Sequence, residues 1–365
     1  MLIARAPTRI SFGGGGTDLE AYYGDYGGLV VSAAINRYTY VVIVPDGSDS
    51  VDVKGAECAA FGALPANGHT TRAGQALPRA ALRHFGIQRG LKIYVASEVP
   101  SGTGLGSSSS TAVALAKGLG SILGMDLTPA EVADLACELE IGRLGMPIGR
   151  QDQYAAAFGG LNVITFEVEG VRVEPLTLSP ADRRRLQRNL MLFFTGSSRL
   201  SSTILRRQRQ RTANATPIVL ESLHAIKSLA VEMRQALEQG KLDRLGELLD
   251  LSWELKKRLA ADISNPFIDE CYWIARANGA LGGKITGAGG GGFLLFYCPP
   301  ARQAKVTEAL RTKGLVRVDF DFDNSGVQVL LNNARVDPST LRLGRHRADD
   351  EDAAVDLELL RALKV

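Results

Sequence analysis

Three glycine-rich segments carry most of the chemistry visible in this 365-residue sequence. The first reads Pro7-Thr-Arg-Ile-Ser-Phe-Gly-Gly-Gly-Gly-Thr-Asp18, and the second Pro100-Ser-Gly-Thr-Gly-Leu-Gly-Ser-Ser-Ser-Ser110. The third is Gly283-Lys-Ile-Thr-Gly-Ala-Gly-Gly-Gly-Gly292. The second has a reading of its own. Glycine lets backbone approach a phosphate closely, and a helix start just after it offers unpaired N–H groups and a positive dipole end. Hydroxyls at Ser107, Ser108, Ser109 and Ser110 can add hydrogen bonds, or one of them can ligate a metal. The segment is not a Walker loop, because no Gly-Lys-Ser/Thr follows. It is not a dinucleotide fingerprint, because after Gly102, Gly104 and Gly106 comes Ser107, where that pattern needs glycine. Its plain alternative is a flexible loop capping a buried helix. The other two segments, taken singly, are equally readable as tight turns.

These loops need strands and helices to hold them. Leu29 to Val44 is β-branched and aromatic, long enough for one extended strand or a bent pair. Leu91 to Ser97 alternates as a strand and leads into the second loop, after which an alanine-rich helix is predicted around Thr111–Lys117. Thr128-Pro-Ala-Glu131 is a capping box with proline at the first helical position. In that helix Val132, Leu135, Ala136 and Leu139 make one buried stripe, which puts Glu140 along the edge of the buried face and Glu138 on the wet side. A second unit is expected from about Asn189. It has a strand at 190–195, helices at 218–238 and 242–260, a strand at 292–298, a helix at 301–313 and a strand at 315–322. Strands and helices in two blocks indicate α+β or α/β layers. Beyond about Arg335 the chain is charge-rich and reads as a loose tail or a terminal helix.

Composition excludes several classes. The length suits two domains, and 45% hydrophobic with 22% charged residues is ordinary globular usage. Forty-two basic against 39 acidic residues leave a net charge of +3, too even to call for nucleic acid or a membrane surface. Cys58, Cys137, Cys271 and Cys298 show no metal-like or framework spacing and read as reduced thiols. No apolar run approaches ~20 residues, and a soluble cytoplasmic protein is expected.

The three loops in this order resemble the motifs of the GHMP kinases, the group that includes galactokinase, homoserine kinase, mevalonate kinase and phosphomevalonate kinase. The resemblance extends from about Ile3 to Phe322. The opening segment looks most like the sugar-1-kinase branch. Gly149-Arg-Gln-Asp-Gln-Tyr-Ala-Ala-Ala-Phe-Gly-Gly160, Thr195-Gly-Ser-Ser-Arg199, and Trp253 with Lys256 ahead of Ile263-Ser-Asn-Pro266 favour its D-glycero-D-manno-heptose 7-phosphate kinases.

The resemblance implies an α+β fold: an N-terminal domain like ribosomal protein S5 domain 2 (1–185), a ferredoxin-like C-terminal domain (186–335), a charged tail (336–365) and a site in the cleft between the domains. It also implies roles. Asp152 would be the catalytic base and Arg9 the cation beside it and the transferred phosphoryl group. Asp18, with Gly15 and Thr17, would bind the sugar. Pro100, Gly102, Gly104, Leu105, Gly106 and the four serines would hold ATP with Gly287, Gly289 and Gly290, and Ser108 and Glu140 would ligate Mg2+. Nine arginines lie between Arg183 and Arg211 with no acidic residue among them. Such a run is usually a solvated face, but Arg199 offers a grip for a phosphate already on the sugar. The implied activity is ATP-dependent phosphorylation of an anomeric hydroxyl, most closely that of a heptose 7-phosphate, by a monomer or homodimer. The rivals are a kinase of an unphosphorylated sugar such as fucose, and a non-catalytic sugar/ATP sensor.

Overall fold

The computed structural model describes residues 1–57, 72–196, 201–334 and 336–341 and builds them into two antiparallel-rich sheets. The first sheet starts with β1 (Leu2–Gly13), β2 (Gly28–Pro45), β3 (Val51–Glu57), β4 (Leu91–Ser97), β5 (Leu161–Phe166) and β6 (Val171–Pro175). The second contains β7 (Leu190–Phe194), β8 (Gly282–Ile285), β9 (Phe293–Tyr297) and β10 (Val316–Val318), in the order β10-β7-β9-β8 and antiparallel throughout. The chain then returns to the first sheet as β11 (Gln328–Asn332), which pairs with β1.

β2 resolves the choice between one strand and two. It is a single strand of 18 residues. Its first half pairs with β5 and its second half with β4, and its register against β1 shifts between Pro7 and Thr8. That shift lets β1 and β2 serve two cores. Leu2, Ala4, Val41 and Ile43 pack in one, and Ile10, Phe12, Val31 and Ala33 in the other.

On the first sheet lie α1 (Glu20–Tyr26), α2 (Arg72–Phe85), α3 (Ser107–Ile122), α4 (Pro129–Cys137) and α5 (Gln151–Phe158), followed by α6 (Pro180–Asn189). α3 is the central one. Its small residues Ala112, Ala114 and Ala116 are fully buried, and Gly118 lies against Ala4 and Ile43, so the helix sits low on β1 and β2. The second unit adds α7 (Ser201–Ala213), α8 (Pro217–Glu238), α9 (Leu242–Lys257), α10 (Pro266–Ala277) and α11 (Pro300–Arg311). Met233 of α8 and Leu245, Leu248 and Leu249 of α9 join Ile10, Phe12, Phe293 and Leu295 in one continuous core. The two sheets are therefore welded by buried apolar surface rather than joined by a linker.

The capping box at Thr128 forms in full, with both reciprocal hydrogen bonds. The end of this helix departs from expectation: after Cys137 it widens into a single π-type stretch, Glu138–Arg143. The widened turn brings both Leu139 and Glu140 inside, so Glu140 is fully buried rather than at the edge, while Glu138 remains exposed. The strand expected over 315–322 is shorter, because beyond Val318 the chain crosses back toward the first sheet, where Phe322 bridges Ile35. Residues 328–334, expected to close the second unit, lie with the first instead, since β1 offers a free edge for β11 to pair with. Leu341, at the end of a short 3-10 turn Pro338–Leu341, is also buried in the core under the first sheet.

Candidate active site

Arg9, on β1, forms a bridge between two remote elements. Its Nε donates to Asp152 Oδ1 at 2.7 Å, its Nη2 lies 2.6 Å from the same oxygen, and its Nη1 donates to the Gly104 carbonyl at 2.6 Å. The Arg9 backbone N–H donates to Leu105 O at 3.0 Å, fastening the loop to the strand as well. Arg9 is nearly buried at 4% side-chain exposure, whereas Asp152 keeps 22% open to solvent. Because both guanidinium contacts fall on Oδ1, Oδ2 is left free of Arg9. Asp152 stands in the first turn of α5.

The second glycine loop ends at Gly106, the N-cap of α3, with φ of 78°. Only glycine takes that conformation readily, and having no side chain it leaves the first turn of α3 uncapped. The N–H groups of Ser107, Ser108 and Ser109 thus head a helix with no capping side chain, as an anion site requires. Two of the expected residues are also engaged within the fold. The Ser110 hydroxyl donates to Pro7 O at 2.7 Å and its N–H to Gly106 O at 2.9 Å, so it braces strand and helix rather than facing a ligand. The Leu105 side chain is 1% exposed and anchors the loop in the core, leaving only its backbone to line the site. At the loop's start, Pro100 O accepts from Thr103 Oγ1 at 2.7 Å, and Gly102 is exposed.

The third loop lies directly on the second. A Cβ built on Gly104 would fall 2.4 Å from Thr286 O, so the two backbones approach as closely as glycine permits. Half-buried Gly287 lies in this junction, where its Cβ would fall 2.4 Å from Gly104 Cα, whereas Gly289 and Gly290 are buried beside Ile263, whose carbonyl accepts from the Gly290 N–H at 2.8 Å.

Ser108, exposed on α3, donates to Glu140 Oε1 at 2.7 Å, and Gln153 Nε2 donates to Glu140 Oε2 at 2.7 Å. Burial pushes the Glu140 carboxyl up to about 7, against the opposing pull of those hydrogen bonds. A buried carboxylate beside a hydroxyl, with no cationic side chain in hydrogen-bond or ion-pair contact among the described residues, is a hard-oxygen pair suited to a divalent ion. The residues fit the ion.

Asp18 binds the glycine turn to the start of α5. Its Oδ1 accepts from Gly16 N at 2.9 Å, and its Oδ2 from Gln151 N at 3.3 Å and Gln151 Nε2 at 3.1 Å. Burial, with the nearby charge of Asp152, holds its carboxyl above the usual range. Gly15 is half-buried beside it. The Thr17 hydroxyl is held by Gly14 O at 2.8 Å and by Leu29, whose N–H donates to it at 3.1 Å, so it closes the turn and is fully buried. Arg199 lies outside the described residues.

Two lysines not expected as site residues complete the cluster. Lys284 on β8 reaches across to the first sheet, its Nζ 3.4 Å from Phe12 O, and burial pushes it down to about 7, helped by the Arg9 charge. Lys256 on α9 donates to Gly287 O and to Ile285 O at 3.4 Å, and burial with the Lys284 charge holds it well below the ordinary lysine range. A signal for Lys284 existed: a lone lysine inside a glycine-flanked strand that is otherwise apolar.

Arg9 on β1 thus grips Asp152 on α5 beside the uncapped N-terminus of α3, and comparison with known proteins gives the family. Residues 74–160 match the model of the GHMP kinases N terminal domain, and residues 233–315 that of the GHMP kinases C terminal. The D-glycero-alpha-D-manno-heptose 7-phosphate kinase of Campylobacter jejuni is 33% identical over 331 residues, covering 89% of this chain and 97% of that protein. A bifunctional fucokinase/GDP-fucose pyrophosphorylase of Arabidopsis thaliana is 33% identical over 242 residues, 65% of this chain but only 22% of that protein. The crystal structure of a D-glycero-D-manno-heptose 1-phosphate kinase from Bacteriodes thetaiotaomicron superposes with a TM-score of 0.72 at 27% identity, covering 92% of this chain and all of the other. The chain belongs to the GHMP kinase family and, like its members, takes ATP as phosphoryl donor.

Proposed function

We propose that this sugar kinase transfers the γ-phosphoryl group of ATP to the anomeric hydroxyl of a heptose 7-phosphate, giving the 1,7-bisphosphate. The observation that carries the reading is the Arg9–Asp152 pair beneath the second loop, with Asp18 held nearby by the start of the same helix. The match to a heptose 7-phosphate kinase over nearly the whole of both chains supports the substrate.

In this reading Asp152 Oδ2, free of Arg9, accepts the proton of the attacking hydroxyl. A carboxylate is a weak base, which suffices because phosphoryl transfer depends mainly on positioning and charge neutralisation. Arg9 and Lys284 sit where negative charge develops on the transferred group, and the α3 N-terminus holds the phosphates behind it. Ser108 and Glu140 would hold Mg2+, which neutralises phosphate charge when bound. Among the described residues no group of three or more acidic, histidine or cysteine side chains could bind a metal unaided, so nucleotide phosphates and water would complete its shell. Cys137, Cys271 and Cys298 are buried free thiols, in keeping with a reducing cytoplasm.

The test is ADP release over a panel of sugars and sugar phosphates, with products assigned by phosphorus NMR. Turnover of a heptose 7-phosphate to a 1,7-bisphosphate is expected. Because the two heptose kinases above carry names that differ in the phosphate, 7 against 1, the panel includes both monophosphates. Turnover of the 1-phosphate alone, or of unphosphorylated sugars alone, would refute the proposed acceptor.

A further inference from the structure

Around the first glycine turn, three buried side-chain polar atoms have no hydrogen-bond partner among the described residues. Gln208, on α7, is 3% exposed, and its Nε2 is buried without a partner among the described residues. It points at the turn: a Cβ on Gly16 would fall 2.5 Å from that nitrogen. The Gly16 N–H in turn donates to Asp18 Oδ1, so the Gln208 amide and the Asp18 carboxylate flank one residue. Gln151 Oε1 and Ser11 Oγ are also buried and unpartnered, and both side chains approach Gly15, whose Cβ would lie 3.9 Å from Gln151 Nε2 and from Ser11 Oγ. Buried amide and hydroxyl groups normally find partners, because leaving them unmade is unfavourable. Three orphans around one turn, beside an aspartate whose Oδ1 accepts a single hydrogen bond and keeps a second lone-pair direction free, are a ready set of donors and acceptors for a polyol.

We propose that Gln208 is a specificity-determining residue, its amide N–H donating to an acceptor hydroxyl adjacent to the one held by Asp18, with Gln151 and Ser11 completing the reading of consecutive hydroxyls. This rests on the sugar-kinase reading above. It adds a requirement: the acceptor presents at least two neighbouring hydroxyls to this turn. The helix that carries Gln208 belongs to the second unit, while Asp18, Gln151 and Ser11 belong to the first, so recognition spans both. A site built to hydrogen-bond a hydroxyl rejects an analogue lacking it far more strongly than an apolar pocket rejects an added group.

The experiment is a cycle of kcat/KM values for wild type, Gln208→Leu and Gln208→Glu against the accepted sugar and its monodeoxy analogues. Losing one neutral hydrogen bond is expected to lower kcat/KM by about tenfold, chiefly through KM. With one particular monodeoxy analogue the variants and the wild type should be equal, because the partner hydroxyl is already gone. Gln208→Glu keeps the volume but buries a carboxylate beside Asp18, so the neutral Gln208→Met guards against a folding defect, which melting curves would reveal. An equal deficit with every analogue, or no deficit at all, overturns the inference. If the wild type accepts only unphosphorylated sugars, the heptose phosphate reading fails while the cycle is run unchanged on those sugars. If it accepts no sugar, both fall.

Discussion

The Arg9 guanidinium places two of its nitrogens on the same Asp152 oxygen, at 2.7 and 2.6 Å, across 143 residues of sequence. One contact thus orients the carboxylate, leaves its second oxygen available, and holds the Gly104 carbonyl with the remaining nitrogen. Asp152→Asn should lower kcat by about 10²–10⁴-fold, the usual range for a positioned base, with little change in KM for ATP. Arg9→Lys should lower kcat and raise KM for ATP together, since a single ammonium cannot replace the fork that serves both partners. Steady-state ADP release separates the two patterns. An Asp152→Asn enzyme within about threefold of wild type would remove Asp152 from the chemistry.

Gly106 makes a different prediction from the same neighbourhood. A Cβ there would lie 3.0 Å from Asp152 Oδ2, and the residue holds φ of 78°. Gly106→Ala should therefore strain the loop by about 1 kcal/mol and crowd the proposed base at its free oxygen. Activity should fall at least tenfold, while the melting temperature drops by only a few degrees. Equal activity would mean that the loop and Asp152 are further apart in the working enzyme.

Two buried charges give the ligand-free protein an unusual pH response. Glu140 titrates near 7 when folded against 4.5 as a free carboxyl, so the folded state binds more protons between those values, and stability falls as pH rises from about 4.5 to about 7. Lys284 titrates near 7 when folded against 10.5, so the folded state binds fewer protons above 7, and stability rises from there toward 10.5. Each group contributes a slope of at most about 1.4 kcal/mol per pH unit. Their sum is a trough near neutrality in metal-free protein. Glu140→Gln should make the acid limb shallower and Lys284→Met the alkaline one, with Asp18 and Lys256 supplying what remains of each, as read from urea midpoints between about pH 5 and 9. Unchanged limbs in both variants would show that neither side chain carries the burial ascribed to it.

Glu140→Gln also separates stability from function. At about pH 8 the variant removes a buried carboxylate, so metal-free protein should melt at the same or a higher temperature than wild type, while activity at limiting Mg2+ collapses. The readout is the Mg2+ concentration for half-maximal rate, expected to rise by about tenfold or more if Glu140 is a ligand. An unchanged Mg2+ requirement would assign Glu140 a purely structural role.

Much of this site was legible in the residues, and the rest was hidden for definite reasons. The strand, glycine loop and uncapped helix around Pro100–Ser110 follow from local rules, as does the capping box at Thr128. Helical phase separated Glu140 from Glu138, although only the widened π turn explains its complete burial. Gln208 gave no signal, because it sits in an arginine-rich stretch that reads as a wet helix face; its burial comes from where α7 lands, beside the first glycine turn. β11 was missed for a similar reason. Its five residues alternate poorly and acquire strand structure from the edge of β1. The resemblance to the family supplied the roles of Arg9 and Asp152, whereas the crossing of Lys284 between sheets emerges only in three dimensions.

The close seating of Gly104 on Thr286 has a mechanical consequence. Each partner comes from a different sheet, and each approaches through main chain rather than a pliable side chain, so there is no slack at that point. Were the two sheets to move apart at this end, this tight backbone contact would act as the fulcrum, because neither partner can yield there. Alanine at 104 would shift the fulcrum itself, altering how far the two halves can gape before a substrate ever arrives.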